Sequence, residues 1–312
     1  MLKALIEKKY FLHVQTILKL SLKAYKIYAE EGLFVLKYHE DPSLETLFSR
    51  LSMLNLDIFQ IPLKSRYDNY IENDETIYFS ITPFIGDEAQ LNQDIRLHFY
   101  VKAIAHLHHA SLYAVKVSDG FFEESLNYLE TQIQETKTAL QSRMERVERL
   151  DYRSPSDWYF LMNYDHLLKA LQESSRRVDR LEEEWKKQTS VRLSMTYQNF
   201  RYEHVIVKQG KIISLDHMAI APSIYDLKTL FDVAYLSRID ITTLFHEYMS
   251  IHPLETYEKE WLLAFLFIPH IERKKNDVED IDALFRTLSH LHVVEEFANE
   301  LMKMNGAVKN EE

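Results

Sequence analysis

The chain has 312 residues, 46% of them hydrophobic and 27% charged, which is the balance of an ordinary folded protein of about two domains. Its 48 acidic and 37 basic residues give a net charge of −11, which disfavours general binding to nucleic acid or anionic lipid. Cysteine is absent, so disulfides, thiolate metal sites and thiol nucleophiles are excluded.

Glycine is rare, and its placement excludes two common phosphate-binding loops. The five glycines are far apart in the chain, at Gly32, Gly86, Gly120, Gly210 and Gly306. Neither GxGxxG nor the P-loop pattern GxxxxGK can be written with them. A dinucleotide-binding fold and a P-loop enzyme are therefore not expected.

No targeting or membrane segment is evident in the sequence. The first residues mix lysines and acids with apolar residues and lack a signal-peptide core, so we expect cytoplasmic synthesis. The longest apolar run, residues 261–269, is too short to cross a bilayer, and no membrane span is predicted.

The first part of the chain has the pattern of a small sheet. Residues 24–39 alternate apolar and polar side chains around a turn and predict a β-hairpin. Asp41 and Pro42 are typical of a helix start, and they lead into a short helix. Strand character returns over residues 67–84, before a break at Gly86 and a helix over residues 95–110.

The remainder is mainly helical. Residues 121–187 predict two long helices separated by a proline-containing break. Residues 204–215 predict a second hairpin, and helical periodicity continues from Leu227. The order indicates an α+β protein with a sheet-bearing part at 1–85 and a mainly helical part at 86–312.

Residues 196–227, TYQNFRYEHVIVKQGKIISLDHMAIAPSIYDL, have the most informative spacing. They resemble the catalytic loop and metal-binding strand of aminoglycoside phosphotransferases and choline kinases. That group has His-Gly-Asp, four residues, Asn, a hairpin, then Asp-x-Asp or Asp-x-Gly and a later Tyr-Asp-Leu. Upstream, Lys37 resembles the strand lysine that binds phosphates, and ITPFIG resembles the hinge between the lobes.

Among such proteins, the chain resembles most the spore coat kinase-like proteins of bacilli, the CotS group, and in particular its YutH-type members. The charged helical pair and the segment DHMAIAPSIYDL carry this resemblance. It implies a two-lobed protein-kinase-like fold, with a small β-sheet lobe at 1–85 and a larger mainly helical lobe at 86–312. It also implies localisation to the spore coat, with other coat proteins as partners; the oligomeric state stays open.

The match departs from the family at the positions that perform chemistry. The carboxylate that accepts the substrate proton is replaced by Asn199, whose amide cannot act as a base. The two magnesium ligands, normally Asn and Asp, are replaced by His204 and Ser214. Lys23 stands in the first turn, where relatives often carry glycine. We therefore expect a pseudokinase with no intact catalytic residue, no bound metal and no cofactor, in which Lys37 keeps at most a residual phosphate contact.

An active phosphotransferase is the alternative. Asp216 lies two residues after Ser214, on the same side of an extended chain, and a register shift would make Asp216 the metal ligand. ATP and Mg would then be the cofactors, with Glu203 or a water in place of the lost base. His204 and Asp216 together would also suit zinc or manganese in a metal-dependent hydrolase.

The role of Lys37 has two interpretations. It is either the lysine of the kinase site or a charge on a sheet edge that faces water. The sequence does not identify its acidic partner, and Glu45 on the following helix is the nearest candidate.

Overall fold

The computed structural model describes residues 2–74, 77–86, 91–116 and 118–304. Its α-helices are α1 (Leu2–Lys9), α2 (Leu44–Met53), α3 (Gln93–Ala110), α4 (Asp119–Glu148), α5 (Pro155–Trp185), α6 (Ile224–Ser237), α7 (Ile241–Ile251), α8 (Thr256–Leu266) and α9 (Asp277–Lys303). Its strands are β1 (Val14–Lys19), β2 (Ala24–Ala29), β3 (Gly32–His39), β4 (Glu72–Asp74), β5 (Ile77–Pro83), β6 (Tyr113–Val115), β7 (Val191–Thr196), β8 (Val205–Ile206), β9 (Lys211–Ile212) and β10 (Ala219–Ala221).

The chain forms two compact units, each built from two stretches of sequence. The first is Met1–Leu112 with Ser194–Ala221, and the second is Tyr113–Leu193 with Pro222–Glu312. These compact units do not correspond by definition to the lobes of a kinase, so they do not test the predicted lobe boundary at residue 85. That boundary stays a prediction. No helix in the described part of the chain is both long enough and apolar enough to cross a membrane.

An antiparallel sheet of five strands forms the centre of the first unit, in the order β1-β2-β3-β5-β4. The predicted hairpin over 24–39 is confirmed as β2 and β3, which pair from Ala24 with Lys37 to Ala29 with Gly32. Gly32 has φ +138°, which a residue with a side chain rarely adopts, so the turn requires glycine here. β3 pairs on its other side with β5, and Lys37 lies opposite Ser80.

Alternation along the strands gives the sheet one apolar face. Phe34 and Leu36 of β3 are buried on this face and pack with Ile6 of α1 and Phe79 of β5. Lys37 has the opposite parity and lies on the other face. The sequence did not predict α1, because its eight residues offer only two turns of periodicity among several lysines.

The rest of the first unit carries the loop segment of the family motif. α3 covers the predicted helix at 95–110 and is capped by Asn92, whose side chain accepts a hydrogen bond from the amide of Asp94. β8 and β9 form the second predicted hairpin, and Gly210 closes its turn in the left-handed conformation, with φ +63°. β10 pairs antiparallel with the end of β7, where Ala219 faces Thr196.

The second unit is mainly helical, as predicted. α4 and α5 are the two long helices expected within 121–187, and α5 also packs on α8 and α9. Their core includes Trp185 and Trp261, whose rings meet edge to face with centroids 4.9 Å apart. β6 pairs with the start of β7, where Tyr113 faces Leu193.

Candidate functional site

Lys37 lies at the centre of the site. It belongs to β3, which has β2 on one side and β5 on the other, so the alternative of an edge lysine is wrong. Its Nζ donates to Oγ of Ser214 at 2.9 Å and to Oδ1 of Asp216 at 2.8 Å. The Lys37 and Asp216 side chains are 30% and 27% exposed, so water partly screens their ion pair.

The acidic partner of Lys37 is therefore Asp216. Glu45, the candidate suggested by the sequence, instead accepts a hydrogen bond at 2.7 Å from the backbone amide of Ile71. A carboxylate early in α2 is close to the chain that leads to β4, and it stabilises this connection.

The hairpin after the catalytic-loop segment brings Ser214 and Asp216 to this point. The turn closed by Gly210 reverses the chain, and β9 ends at Ile212. Ser214 then adopts a left-handed backbone, with φ +62°. Both side chains reach the Lys37 amine, so the two registers suggested by the sequence converge on one location.

Burial alone would raise the pKa of Asp216, but the charge and hydrogen bond of Lys37 outweigh burial. The pKa of the carboxyl is held below its usual value. Asp216 is thus an ionised carboxylate at neutral pH, as a metal ligand or an ion-pair partner must be.

Asn199, which the sequence motif predicts at the position of the missing base, already has its side-chain amide hydrogen-bonded. Its Nδ2 donates to the backbone oxygen of Ser214 at 2.9 Å, which ties the catalytic loop to the segment after β9. The preceding residue, Gln198, has φ +52°, at the position where the family has glycine. The loop therefore keeps a backbone shape that glycine normally supplies.

His204 lies in the same loop and is mainly buried. Its Nδ1 is 2.9 Å from the backbone oxygen of Asn199 and 3.1 Å from the hydroxyl of Tyr197. Because a carbonyl oxygen can only accept, Nδ1 carries the proton in this assignment. Burial lowers the pKa of His204, although the hydrogen bond to Asn199 opposes it, and the ring is neutral at pH 7.

The sequence did not indicate that two further residues, Tyr197 and His39, would lie at or beside this site. Tyr197, at the position of the family histidine, is fully buried and donates to the backbone oxygen of Ile213 at 2.7 Å. His39 lies two residues after Lys37 on the same face of β3 and contacts Oγ of Ser80 at 2.8 Å. The period-two rule could have found His39, whereas no sequence signal indicates the contact of Tyr197.

Other predicted positions lie apart from this network. Glu203 is exposed, and Lys23 forms an ion pair with Glu40 at 2.6 Å. Over residues 2–74, 77–86, 91–116 and 118–304, no group of three or more His, Asp and Glu side chains is arranged to hold a metal ion. Mg²⁺ prefers several oxygen ligands, and the nitrogen of His204 with the hydroxyl of Ser214 does not fit it.

Comparison with known proteins gives a result at the level of the fold. No family model matches the chain, and no curated protein matches it. An aminoglycoside phosphotransferase from Alicyclobacillus acidocaldarius is similar in structure, with 13% identity, a TM-score of 0.71, and 95% of this chain and 94% of that chain covered. The AMP-bound complex of a spectinomycin phosphotransferase is similar with 13% identity and a TM-score of 0.53, covering 100% of this chain and 98% of that chain. The chain therefore has the aminoglycoside phosphotransferase-like kinase fold, with a small antiparallel sheet and a larger helical part.

Proposed function

We propose that this protein is a catalytically inactive kinase-like protein, a pseudokinase, that serves as a structural or binding component associated with the spore coat. The observation that carries the first part is the state of Asn199. An amide stands where phosphoryl transfer needs a carboxylate, and its N–H group is bonded to Ser214. This side chain can neither accept the substrate proton nor turn freely toward a substrate.

The metal positions support the same proposal. His204 directs its Nδ1 into the loop, and Ser214 donates or accepts only through a neutral hydroxyl. Loss of one preorganised group in a catalytic site commonly reduces the rate by about 10² to 10⁴. Three replacements together, without compensation, leave little measurable transfer.

The charge of Lys37 is also satisfied internally. A phosphate would have to compete with Asp216, whose carboxylate lies 2.8 Å from the amine. A residual phosphate contact by Lys37 is accordingly weak in this proposal.

The spore coat assignment rests on the resemblance of the sequence to the CotS group. Other coat proteins are the proposed partners, and the net charge of −11 disfavours nucleic acid. A fluorescent fusion expressed in sporulating bacilli should collect around the forming spore. A fusion that stays spread through the mother cell would contradict this part of the proposal.

The second candidate is an active small-molecule phosphotransferase that uses ATP and Mg with Asp216 as metal ligand. The observation that favours it is the lowered pKa of Asp216, which keeps a carboxylate ionised beside Lys37. It requires Asp216 to leave Lys37 and a second oxygen ligand to come from elsewhere.

Thermal-shift titration with ATP and MgCl₂ or MnCl₂ separates the two candidates. We expect the melting temperature of the natural chain to stay unchanged with either metal. A metal-dependent rise that Asp216→Asn abolishes would favour the active enzyme instead.

A restored variant gives the positive control for this titration. Asn199→Asp, His204→Asn and Ser214→Asp together return the family residues to their positions. We expect this variant to gain a metal-dependent response to ATP, because it restores the carboxylate base and both metal ligands of the motif that the sequence resembles. Nucleotide turnover by the natural chain would refute the proposal directly.

A further inference from the structure

The first strand of the sheet has a free edge. β1 pairs antiparallel with β2, and within the described residues it pairs with no other strand. Its residues after Val14 are exposed or half-buried, and of these Ile17 packs against the core of the sheet. An uncovered edge is a template for a further strand unless proline or a bulge blocks it, and a charge on the edge disfavours any added strand that does not carry the opposite charge.

The backbone of β1 presents hydrogen-bonding groups outward. The amide of Leu20 donates to the oxygen of Ala24, so Leu20 is bonded to β2. Because bonded and non-bonded residues alternate along an antiparallel pair, Leu18 also faces β2, whereas Ile17 and Lys19 direct their N–H and C=O groups away from it. The only irregularity lies at the start of the strand, between Val14 and Thr16, and leaves Ile17 and Lys19 free of a bulge.

Exposed leucines lie at the end of β1 and in the turn after it. Leu18 and Leu20 are 52% and 51% exposed, and Leu22, in the turn, is 85% exposed. Single exposed leucines are common, but Leu18 and Leu20 lie on the same face beside an unpaired edge and form a short apolar strip, the leucine strip. Alternate apolar side chains on an added strand would contact this strip.

The sequence around β1 is basic, although Lys9 of this stretch pairs with Glu72. Residues 8–29 contain five lysines and no acidic residue, in a chain with a net charge of −11. Lys23 is paired with Glu40, and the amine of Lys26 lies 3.8 Å from the centre of the Phe84 ring. Lys19 is exposed, and no carboxylate of the described chain forms an ion pair with it.

We propose that β1 binds an extended acidic segment of a partner protein by strand addition. The segment supplies backbone bonds to Ile17 and Lys19, alternate apolar side chains over the leucine strip, and a carboxylate to Lys19. Acids of this chain, Glu7 and Glu31, lie at the start of β1, so the acidic end of the partner lies toward Lys19.

This inference goes beyond the proposed function and does not depend on it. The leucine strip lies on the same face of the sheet as Lys37, two strands away, because Leu20 lies opposite Ala24 and Ala24 opposite Lys37. The outer edge of β1 contributes no group to the Lys37 network, so a catalytically active protein could bind the same segment.

Fluorescence anisotropy with two labelled peptides tests the proposal. In the first peptide, alternating valine and threonine carry glutamates at one end only; in the second, lysines replace the glutamates. We expect the natural chain to bind the glutamate peptide at least about tenfold more tightly, and Lys19→Glu to reverse this preference. Equal affinity for both peptides, or no binding of either, would overturn the proposal.

Lys19→Pro tests the backbone contribution. The N–H of Lys19 points outward, so proline removes this donor without breaking a hydrogen bond between β1 and β2. We expect affinity for the glutamate peptide to fall roughly tenfold or more, with the circular dichroism spectrum unchanged. If this variant does not fold, the charge reversal by Lys19→Glu still decides the question.

Met162→Thr on α5 is the matched control, since Met162 is an exposed apolar residue, 76% accessible, in the other unit. It should leave peptide binding unchanged, whereas Leu18→Thr should weaken it. Sedimentation velocity gives the last readout. Self-association of the natural chain that Lys19→Pro abolishes would mean that a second copy, not an acidic partner, occupies the edge, and the proposal would be wrong.

Discussion

Lys37 and His39 occupy successive outward positions of β3 but differ in environment. Lys37 is partly exposed and paired with Asp216, whereas His39 is buried against Ser80. Burial lowers the pKa of His39 to about 4, because the charged ring would lose its hydration. The site thus holds one cation that is balanced and one imidazole that stays neutral.

His39 should make the stability of the protein depend on pH. An unfolded histidine takes up its proton near pH 6.5, whereas His39 in the folded protein resists protonation until about pH 4. Its contribution to the free energy of unfolding is therefore complete above pH 6.5 and decreases as pH falls toward 4, by up to roughly 3 kcal/mol. Urea unfolding at pH 7 and pH 4.5 measures this loss.

His39→Gln is the control for that measurement, since glutamine can still bond to Ser80 but does not titrate. The variant should lose less stability than the natural chain over the same interval. Equal losses in both proteins would contradict a buried neutral His39.

At the scale of single residues, motif spacing predicted Asn199, His204 and Ser214 in the site. It could not predict their contacts, because Asn199 is held by a backbone oxygen and His204 by Tyr197, and neither contact has a characteristic residue type. The partner of Lys37 was also missed, because Asp216 is 179 positions away in the chain.

Among the elements, the long helices were the most predictable. The break between α4 and α5 contains a capping box. Ser154 accepts from the amide of Asp157 at 3.3 Å, and Asp157 accepts from the amide of Ser154 at 3.3 Å. These contacts and Pro155 define where α5 begins. β6 and β10 were not predicted, because strands of three residues show too little alternation. β7 has six residues, but its last three are all buried, so its burial does not alternate.

Ser154→Ala should lower the free energy of unfolding by about 1 kcal/mol, because the amide of Asp157 loses its side-chain acceptor. Ser175→Ala is the control on the same helix. Its hydroxyl bonds to the backbone oxygen of Leu171, an interaction that adds little to helix stability. Chemical denaturation of both variants checks the difference, and an equal effect would argue against a role of the cap.

At the scale of the whole molecule, ion pairs link distant parts of the sequence. Within the second unit, Arg143 of α4 meets Asp280 of α9 with an Nη2 to Oδ2 distance of 2.5 Å, and their side chains are 5% and 2% exposed. Asp280 also accepts from the backbone amide of Lys274 at 3.0 Å. The sequence gave no indication of this pair, since periodicity describes a helix face but not its partner.

Asp280→Asn should destabilise the protein by about 3 kcal/mol, because the charge of Arg143 then stays buried without compensation. Asp282→Asn, two residues later, removes an exposed carboxylate that pairs with Arg286 on the same helix. This control should change stability by less than about 0.5 kcal/mol. Similar melting temperatures for the two variants would be incompatible with a buried ion pair between α4 and α9.

Gln198 and Ser214 both have positive φ, and neither is glycine. A side chain in that conformation is held against its own preference, typically at a cost of about 1 kcal/mol each. Neighbouring residues must therefore hold the backbone at Gln198 and Ser214. The contacts that do so are the hydrogen bond from Tyr197 to Ile213 and the one from Asn199 to Ser214. Any substitution that removes one of these two hydrogen bonds should therefore disturb the loop at both positions, since neither residue has the conformational freedom of glycine.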